Sequence, residues 1–221
     1  MPSPFSPVHL LLFVIAVTAL IAFVQIGLVT VAFDKLGLSS SSALLLLISS
    51  LIGSAINLPL FSLKAEPPKS PMTNPFFGLL RPPKIEYTGR TLITINVGGG
   101  LIPLFFSGYL IQHNHLPFSD IVLGITIVTI ISYLVSRPVH GIGIGMPILI
   151  APLCAAIVAV MLNSEASAPL AYIGGTLGVL IGADILRLNN IRQMGLPIAS
   201  IGGAGTFDGI FITGIVAVLL A

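Results

Sequence analysis

The sequence predicts an all-α membrane protein: a single transmembrane domain covering residues 1–221, with about seven membrane-spanning helices. Three observations predict this class. The 221 residues are 55% hydrophobic and only 7% charged, whereas an ordinary soluble domain is about 25% charged. Apolar runs recur along the chain, and each is long enough to cross about 30 Å of hydrocarbon as a helix. The basic residues also divide unequally between the two sides that these runs define.

The first predicted span follows the segment Met1–Pro7, which lacks the Lys or Arg of a signal-peptide n-region. We therefore expect that span to be retained rather than cleaved. Each later span is an apolar run bounded by charged, polar or proline-rich residues. In chain order the seven predicted spans cover residues 9–33, 42–63, 91–112, 118–136, 143–162, 168–188 and 204–221.

The longest predicted loop covers residues 64–90, between the second and third spans. Six prolines interrupt it, namely Pro67, Pro68, Pro71, Pro75, Pro82 and Pro83. Proline removes a backbone donor and clashes with the preceding helical turn, so this loop can be neither a span nor a regular helix. The sequence predicts a cytoplasmic linker here.

The distribution of basic residues predicts the orientation in the membrane. With seven spans, only Lys35 falls on the side opposite the N-terminus. The other basic residues fall on the N-terminal side: Lys64, Lys69, Arg81, Lys84, Arg90, Arg137, Arg187 and Arg192. Lys and Arg are enriched in cytoplasmic loops. We therefore expect a multi-pass cell-membrane protein with a cytoplasmic N-terminus and an outside C-terminus.

An internal repeat is visible in two pairs of segments. Leu51–Ile56 reads LIGSAI, and Leu180–Ile185 reads LIGADI. Further along, Gly98–Gly108 (GGGLIPLFFSG) resembles Ala204–Gly214 (AGTFDGIFITG). These similarities predict that spans 1–3 and 5–7 are parallel repeats.

Two aspartates, Asp184 and Asp208, lie within predicted spans rather than in loops or at clear interfaces. An aspartate near the bilayer centre costs about 2.5–3.5 kcal/mol, so both are expected to face the protein interior or a water-filled cavity. Leu196, at the centre of the link between these spans, is equally far from both. Two antiparallel helices would therefore bring the carboxyl groups to similar depth, about 4–8 Å apart.

Three interpretations of this pair remain open. In the first, Asp184 pairs with Arg187 or Arg192, and Asp208 caps the amides that begin the last span. In the second, the carboxyl groups share a proton and activate water, with Asp208 ionised at a helix N-terminus and Asp184 protonated. In the third, the carboxyl groups carry a proton or a cation across the membrane.

Three glycine-rich stretches, at 98–100, 141–145 and 202–205, begin odd-numbered spans at one depth. Glycine lets a helix break where it lines a cavity, and free helix amides bind a peptide carbonyl. The sequence therefore predicts a cytoplasm-facing cavity, although close helix packing explains any one stretch equally well. The predicted substrate-binding residues are Gly202, Gly203, Gly205 and Gly209.

No metal ion or other cofactor is expected. His113 and His115 lie in a short loop opposite the aspartates, away from His9 and His140, and form no zinc-like cluster. The single Cys154 lies inside an apolar run and is expected to be a buried thiol. The composition gives no support to nucleic-acid binding.

The segments Gly178–Leu186 and Ile201–Phe211 resemble a widespread prokaryotic family of membrane proteins of unknown function, and the resemblance extends to 138–152. More distantly, the arrangement of Asp184 and Asp208 resembles the GxGD intramembrane aspartyl proteases, the presenilin and signal-peptide-peptidase type. That resemblance implies that both are catalytic. The chain departs from the protease motifs, because Ala183 replaces tyrosine, Gly205–Asp208 reads GTFD, and no later Pro-Ala-Leu motif exists.

These observations predict a paired intramembrane aspartate site, either in an intramembrane aspartyl peptidase or in a proton- or cation-coupled transporter or channel. A non-catalytic membrane assembly subunit is the third alternative. The expected partners are the lipid bilayer and a membrane peptide or small ion.

Overall fold

The computed structural model describes residues 14–18, 28–66, 89–139, 143–194, 196–203 and 209–221. Residues 14–18 are helical. The further helices are α1 (Leu28–Lys35), α2 (Ser40–Gly53), α3 (Ile102–His113), α4 (Phe118–Val135), α5 (Ile150–Leu162), α6 (Ser167–Val179), α7 (Leu188–Arg192) and α8 (Gly209–Leu220). Two π-helical segments, π1 (Val97–Leu101) and π2 (Leu180–Ile185), adjoin α3 and α6. The strands are β1 (Asn57–Lys64), β2 (Arg90–Asn96), β3 (Arg137–Val139), β4 (Gly143–Gly145) and β5 (Ile198–Ile201).

The protein is mostly helical, and two of its helical stretches are long and apolar enough to cross a membrane. These are Phe118–Val135, with 18 residues, and Ser167–Arg192, with 26. The remaining apolar helices among the described residues are shorter. The length of these two stretches agrees with the predicted spans 118–136 and 168–188 but does not establish seven spans.

The expectation of an all-α protein is wrong, because β1, β2 and β5 form a sheet in that order. β1 and β2 are antiparallel and occupy residues assigned to the predicted helical spans 42–63 and 91–112. Pro59 in β1 has no backbone N–H to donate within a helix, and four of the seven residues of β2 are β-branched, which favours a strand. Likewise, the predicted span 143–162 contains β4 before the 13-residue helix α5.

A stripe of glycines on α6 and π2 packs against α4. A Cβ added at Gly174 would lie 3.5 Å from backbone atoms of Gly124. One at Gly178 would meet Val128, and one at Gly182 would meet the backbone oxygen of Thr129. The order of these contacts makes α4 and α6 parallel, so both end at the same end of the molecule, and their backbones approach closely through small residues.

Replacing Gly182 by Ala should destabilise the protein, because the new methyl group meets the backbone of α4 rather than a flexible side chain. Overpacking of this kind costs about 1–3 kcal/mol of unfolding free energy. Gly108→Ala is the matched control, since nothing lies within 4 Å of its added Cβ. We expect the midpoint of thermal unfolding in detergent to fall for Gly182→Ala only; equal midpoints would contradict the packing.

The helical bundle is apolar on its surface and contains small polar side chains in its interior. Large apolar residues are widely exposed, among them Phe105 at 71%, Phe118 at 80% and Met161 at 81%. The buried polar residues are Ser50, Ser54, Thr91, Thr94, Asn96, Ser107, Ser132, Ser136, Ser167, Thr176 and Thr213. Soluble proteins rarely expose contiguous apolar surface of this extent.

The pairing of β2 with β5 has the separation of the predicted repeat. The two strands are parallel, with Leu92 beside Ile198 and Ile95 beside Ile201. Each pair is 106 residues apart, which is also the separation of Gly98 from Ala204 in the aligned glycine stretches. The strands that precede the two similar segments therefore lie side by side, while residues 204–208 of the second segment lie outside the described residues.

Candidate functional site

Asp184 lies near the end of π2, where this helical stretch meets the sheet. Its side chain is partly buried, and Oδ2 accepts the backbone N–H of Gly202 at 2.7 Å. Gly202 directly follows β5 and opens the glycine-rich stretch that leads to Asp208. π-Helical segments occur frequently at functional sites because they re-aim side chains. The contact places Asp184 against the start of its predicted partner segment.

Gly202 and Gly203 adopt φ angles of 79° and 91°, which L side chains rarely adopt. Gly202 is also pressed against the other glycine-rich stretch. A Cβ at this position would lie 2.5 Å from the backbone nitrogen of Gly100 and 2.8 Å from the carbonyl carbon of Gly99. The two repeated glycine stretches therefore cross in backbone contact beside Asp184.

A polar network lies next to this crossing, where β2 ends. Asn96 Nδ2 donates to the carbonyl of Ser54 at 2.7 Å and to Oδ1 of Asn57 at 3.1 Å. Asn96 Oδ1 accepts the N–H of Gly99 at 2.7 Å, and Ser200 Oγ donates to Asn57 Oδ1 at 2.7 Å. The network ties all three strands of the sheet to the first glycine stretch.

Arg187, a predicted partner of Asp184, binds the end of α4. Its guanidinium donates to the carbonyls of Tyr133 and Ser136 and to Ser136 Oγ, and it stacks 4.1 Å over the Tyr133 ring. A cation at these C-terminal carbonyls is favourable for the helix. Arg192, the other predicted partner, donates from Nε to the carbonyl of Lys64 at 3.1 Å.

Arg187→Gln should lower the unfolding free energy by about 1–3 kcal/mol, because it leaves carbonyls at the end of α4 without their charged donor. Arg137→Gln is the control, since Arg137 has an exposed side chain on β3. Thermal unfolding of both variants in detergent measures the difference. An Arg187 variant as stable as the Arg137 variant would show that the guanidinium contacts contribute nothing.

The structure describes only part of the predicted site. Asp208 and Gly205 lie outside the described residues, so the predicted facing of the two carboxyl groups lies outside them too. Gly209 is the first residue of α8. Asp208 therefore directly precedes a helix in sequence, which is the position at which aspartate commonly caps helix amides.

Asp184 lines neither of two surface clefts. One, of about 270 Å³, is lined by Leu38, Ser42, Leu46, Phe106 and Tyr109. The other, of about 390 Å³, is lined by Glu66, Asn189, Arg192 and Gln193. Among the described side chains, no three from His, Cys, Asp and Glu form a group that could hold a metal ion.

Sequence reasoning missed the polar network and the binding of Arg187 to α4. Asn96 lies two residues before the Gly98–Gly100 stretch and is fully buried. An asparagine two residues before three glycines is a recognisable turn signal. It was missed because residues 91–112 were assigned to one helical span, so no strand end was expected at residue 96. The acceptors of Arg187 are mainly backbone carbonyls, which have no sequence signature.

The fold and the site define a mostly helical protein with a small mixed sheet, in which a partly buried aspartate contacts the junction of two similar segments. Residues 51–220 match a family described as a protein of unknown function, DUF1614. The chain belongs to this family. No curated protein and no solved structure matches this chain. The comparisons do not support the resemblance to GxGD proteases.

Proposed function

We propose that this chain is a polytopic membrane protein with seven spans, and that Asp184 and Asp208 form an intramembrane aspartyl peptidase site. The membrane assignment is supported by two helical stretches of spanning length and by large apolar side chains exposed around the bundle. The buried small hydroxyls and the glycine contacts between α4 and α6 are typical of helices packed in lipid.

The observation that carries the peptidase proposal is the 2.7 Å bond between the Gly202 amide and Asp184 Oδ2. This bond holds the Asp184 carboxylate beside Gly202, and Asp208 follows Gly202 by six residues in the sequence. Two nearby carboxyl groups that share a proton can activate a water molecule. The ionised group takes a proton from water as the water oxygen bonds to the peptide carbonyl carbon, and the protonated group donates to the carbonyl oxygen. The two carboxyl groups then reverse roles: the newly protonated one donates to the leaving nitrogen as the C–N bond breaks, and the other takes a proton from a hydroxyl of the diol, which becomes the product carboxylic acid.

The sheet supplies a surface for an extended substrate. β5 is an outer strand, and no described strand pairs with its second edge. An extended peptide can bind such an edge through main-chain hydrogen bonds. β5 leads directly into Gly202 and Gly203, so a peptide bound along β5 would approach Asp184 through the predicted substrate-binding glycines.

Reconstituted protein should cleave a single-span reporter in proteoliposomes, with products detected by mass spectrometry. The double variant with Asp184→Asn and Asp208→Asn should leave the reporter intact. Glu165→Gln is the matched control, because Glu165 is exposed in the loop before α6, at the opposite end of that helix from Asp184. Cleavage by the double variant at the wild-type rate would exclude the proposal.

A second candidate function, proton- or cation-coupled transport, is favoured by buried hydroxyls that have no protein partner. Within the described part of the chain these are the hydroxyls of Thr129 and Ser132 on α4, whereas those of Tyr172 and Thr176 on α6 lie close enough to interact with each other. Unpartnered polar groups inside a bundle are costly and are typical of water or ion pathways. Ion flux in proteoliposomes that Asp208→Asn abolishes, without any reporter cleavage, would favour this function over hydrolysis.

A further inference from the structure

Asn96 is a fully buried side chain, at 0% exposure, where β2 ends and π1 begins. Its amide uses both of its polar atoms. Oδ1 accepts the N–H of Gly99, while Nδ2 donates to the carbonyl of Ser54 beyond α2 and to Asn57 on β1. Of the uncharged side chains, only an amide both accepts and donates twice in this way. Asn96 therefore fixes the first glycine stretch relative to α2 and the sheet.

The position of that glycine stretch determines the position of Gly202. Ser50 Oγ donates to the carbonyl of Gly98 at 2.6 Å, so the stretch is held from α2 as well. Gly202 packs on the backbone of Gly99 and Gly100 so closely that no Cβ fits between them. A displacement of Gly99 would therefore move Gly202, whose amide contacts Asp184.

We propose that Asn96 is a positioning residue for the aspartate site, acting on Asp184 through Gly99, Gly100 and Gly202. In the repeat, the position of Asn96 corresponds to Gly202 itself, which has no side chain. The first repeat therefore supplies an amide that the second repeat lacks, and the second supplies the carboxylate. The catalytic consequence rests on the proposed function; the structural coupling of Asn96 to the Gly202 amide does not.

The coupling can be tested by NMR of protein in nanodiscs, labelled with ¹⁵N only at its 23 glycines. A short hydrogen bond to a carboxylate moves an amide proton downfield. We expect the amide proton of Gly202 to give a downfield glycine signal. Asp184→Asn identifies this signal, because it should be the one that the substitution shifts. Asn96→Ala should shift the same signal although the side-chain hydrogen bonds of Asn96 go to Ser54, Asn57 and Gly99. If Asn96→Ala leaves this signal in place, the proposal is wrong.

Two further variants separate positioning from general loss of structure. Ser200→Ala removes a bond to Asn57 in the same network without touching the glycines, so it should leave the Gly202 signal unchanged. Asn96→Asp keeps an acceptor for the Gly99 amide and the side-chain volume, so it should retain the signal better than Asn96→Ala. If Asn96→Ala does not fold, the other two variants decide. The proposal would be overturned if the Gly202 signal were lost both in Asn96→Asp and, separately, in Ser200→Ala.

Where the peptidase activity exists, Asn96→Ala should lower kcat about 100-fold with KM unchanged, because displacing a reacting group by about 1 Å has effects of this size. An equal kcat in Asn96→Ala and wild type would contradict the positioning role. Absence of cleavage by the wild-type protein would exclude the proposed function alone. The glycine signal would still decide whether Asn96 positions Gly202 against Asp184.

Discussion

Asp184→Asn is expected to lower the rate of reporter cleavage by about 10²–10⁴-fold, the range over which a general acid or base contributes to catalysis. Asparagine keeps an oxygen that can accept the Gly202 amide, so the local fold should survive. It cannot give or take the proton that the reaction needs. Asp208→Asn should produce a loss of similar size, because residues that act as one unit are not additive.

This result is measured as initial rates in proteoliposomes, with thermal unfolding recorded for each variant. The two single variants and the double variant should have the same residual rate. If the single losses multiplied in the double variant, the carboxyl groups would act independently and would not share a proton. Unchanged rates in both single variants would leave a structural role, with Asp184 binding the Gly202 amide.

The second prediction concerns topology and is all or none. Single cysteines at Ser70 and Asn190, introduced into a chain whose own Cys154 is replaced, should react with impermeant thiol reagents only from the cytoplasm. Cysteines at Asn114 and Ser164 should react only from outside. Asn190 lies on α7, and Asn114 and Ser164 follow the C-terminal ends of α3 and α5. A reversed pair would overturn the seven-span arrangement.

α4 and α6 run parallel, and the sheet lies at the end where both terminate, together with Arg187 and Arg192. At the other end, Lys35 Nζ donates to the carbonyl of Val218 at 3.4 Å, close to the end of α8. Labelling from the expected sides would place the sheet at the cytoplasmic surface.

The longest elements were predictable because their sequences contain one dominant signal. Residues 118–135 are a predominantly apolar run between Pro117 and Ser136, with Asp120 as the only charged residue, and the structure has one helix there. The predicted separation of the glycine stretches agrees with the register in which Leu92 pairs with Ile198.

The sheet could not be predicted because its strands lie inside apolar runs that also fit helical spans. β1 reads NLPLFSLK and β2 reads RTLITIN, and each is too short to show a period that excludes a helix. Hydropathy measures transfer from water and does not distinguish these conformations. At the candidate site, the sequence predicted that Asp184 faces Asp208, which lies outside the described residues. The crossing of Gly202 with Gly100 depends on backbone geometry that has no sequence signature.

The parallel pairing of β2 with β5 also sets an order of folding. Leu92 must wait for Ile198 to emerge from the ribosome, so β2 has an open edge while α3 to α7 are synthesised. Contacts between residues so far apart in sequence form late, and an unpaired apolar edge exposed in the meantime favours aggregation. Nascent chains arrested before residue 198 should therefore be degraded faster than chains arrested after residue 203.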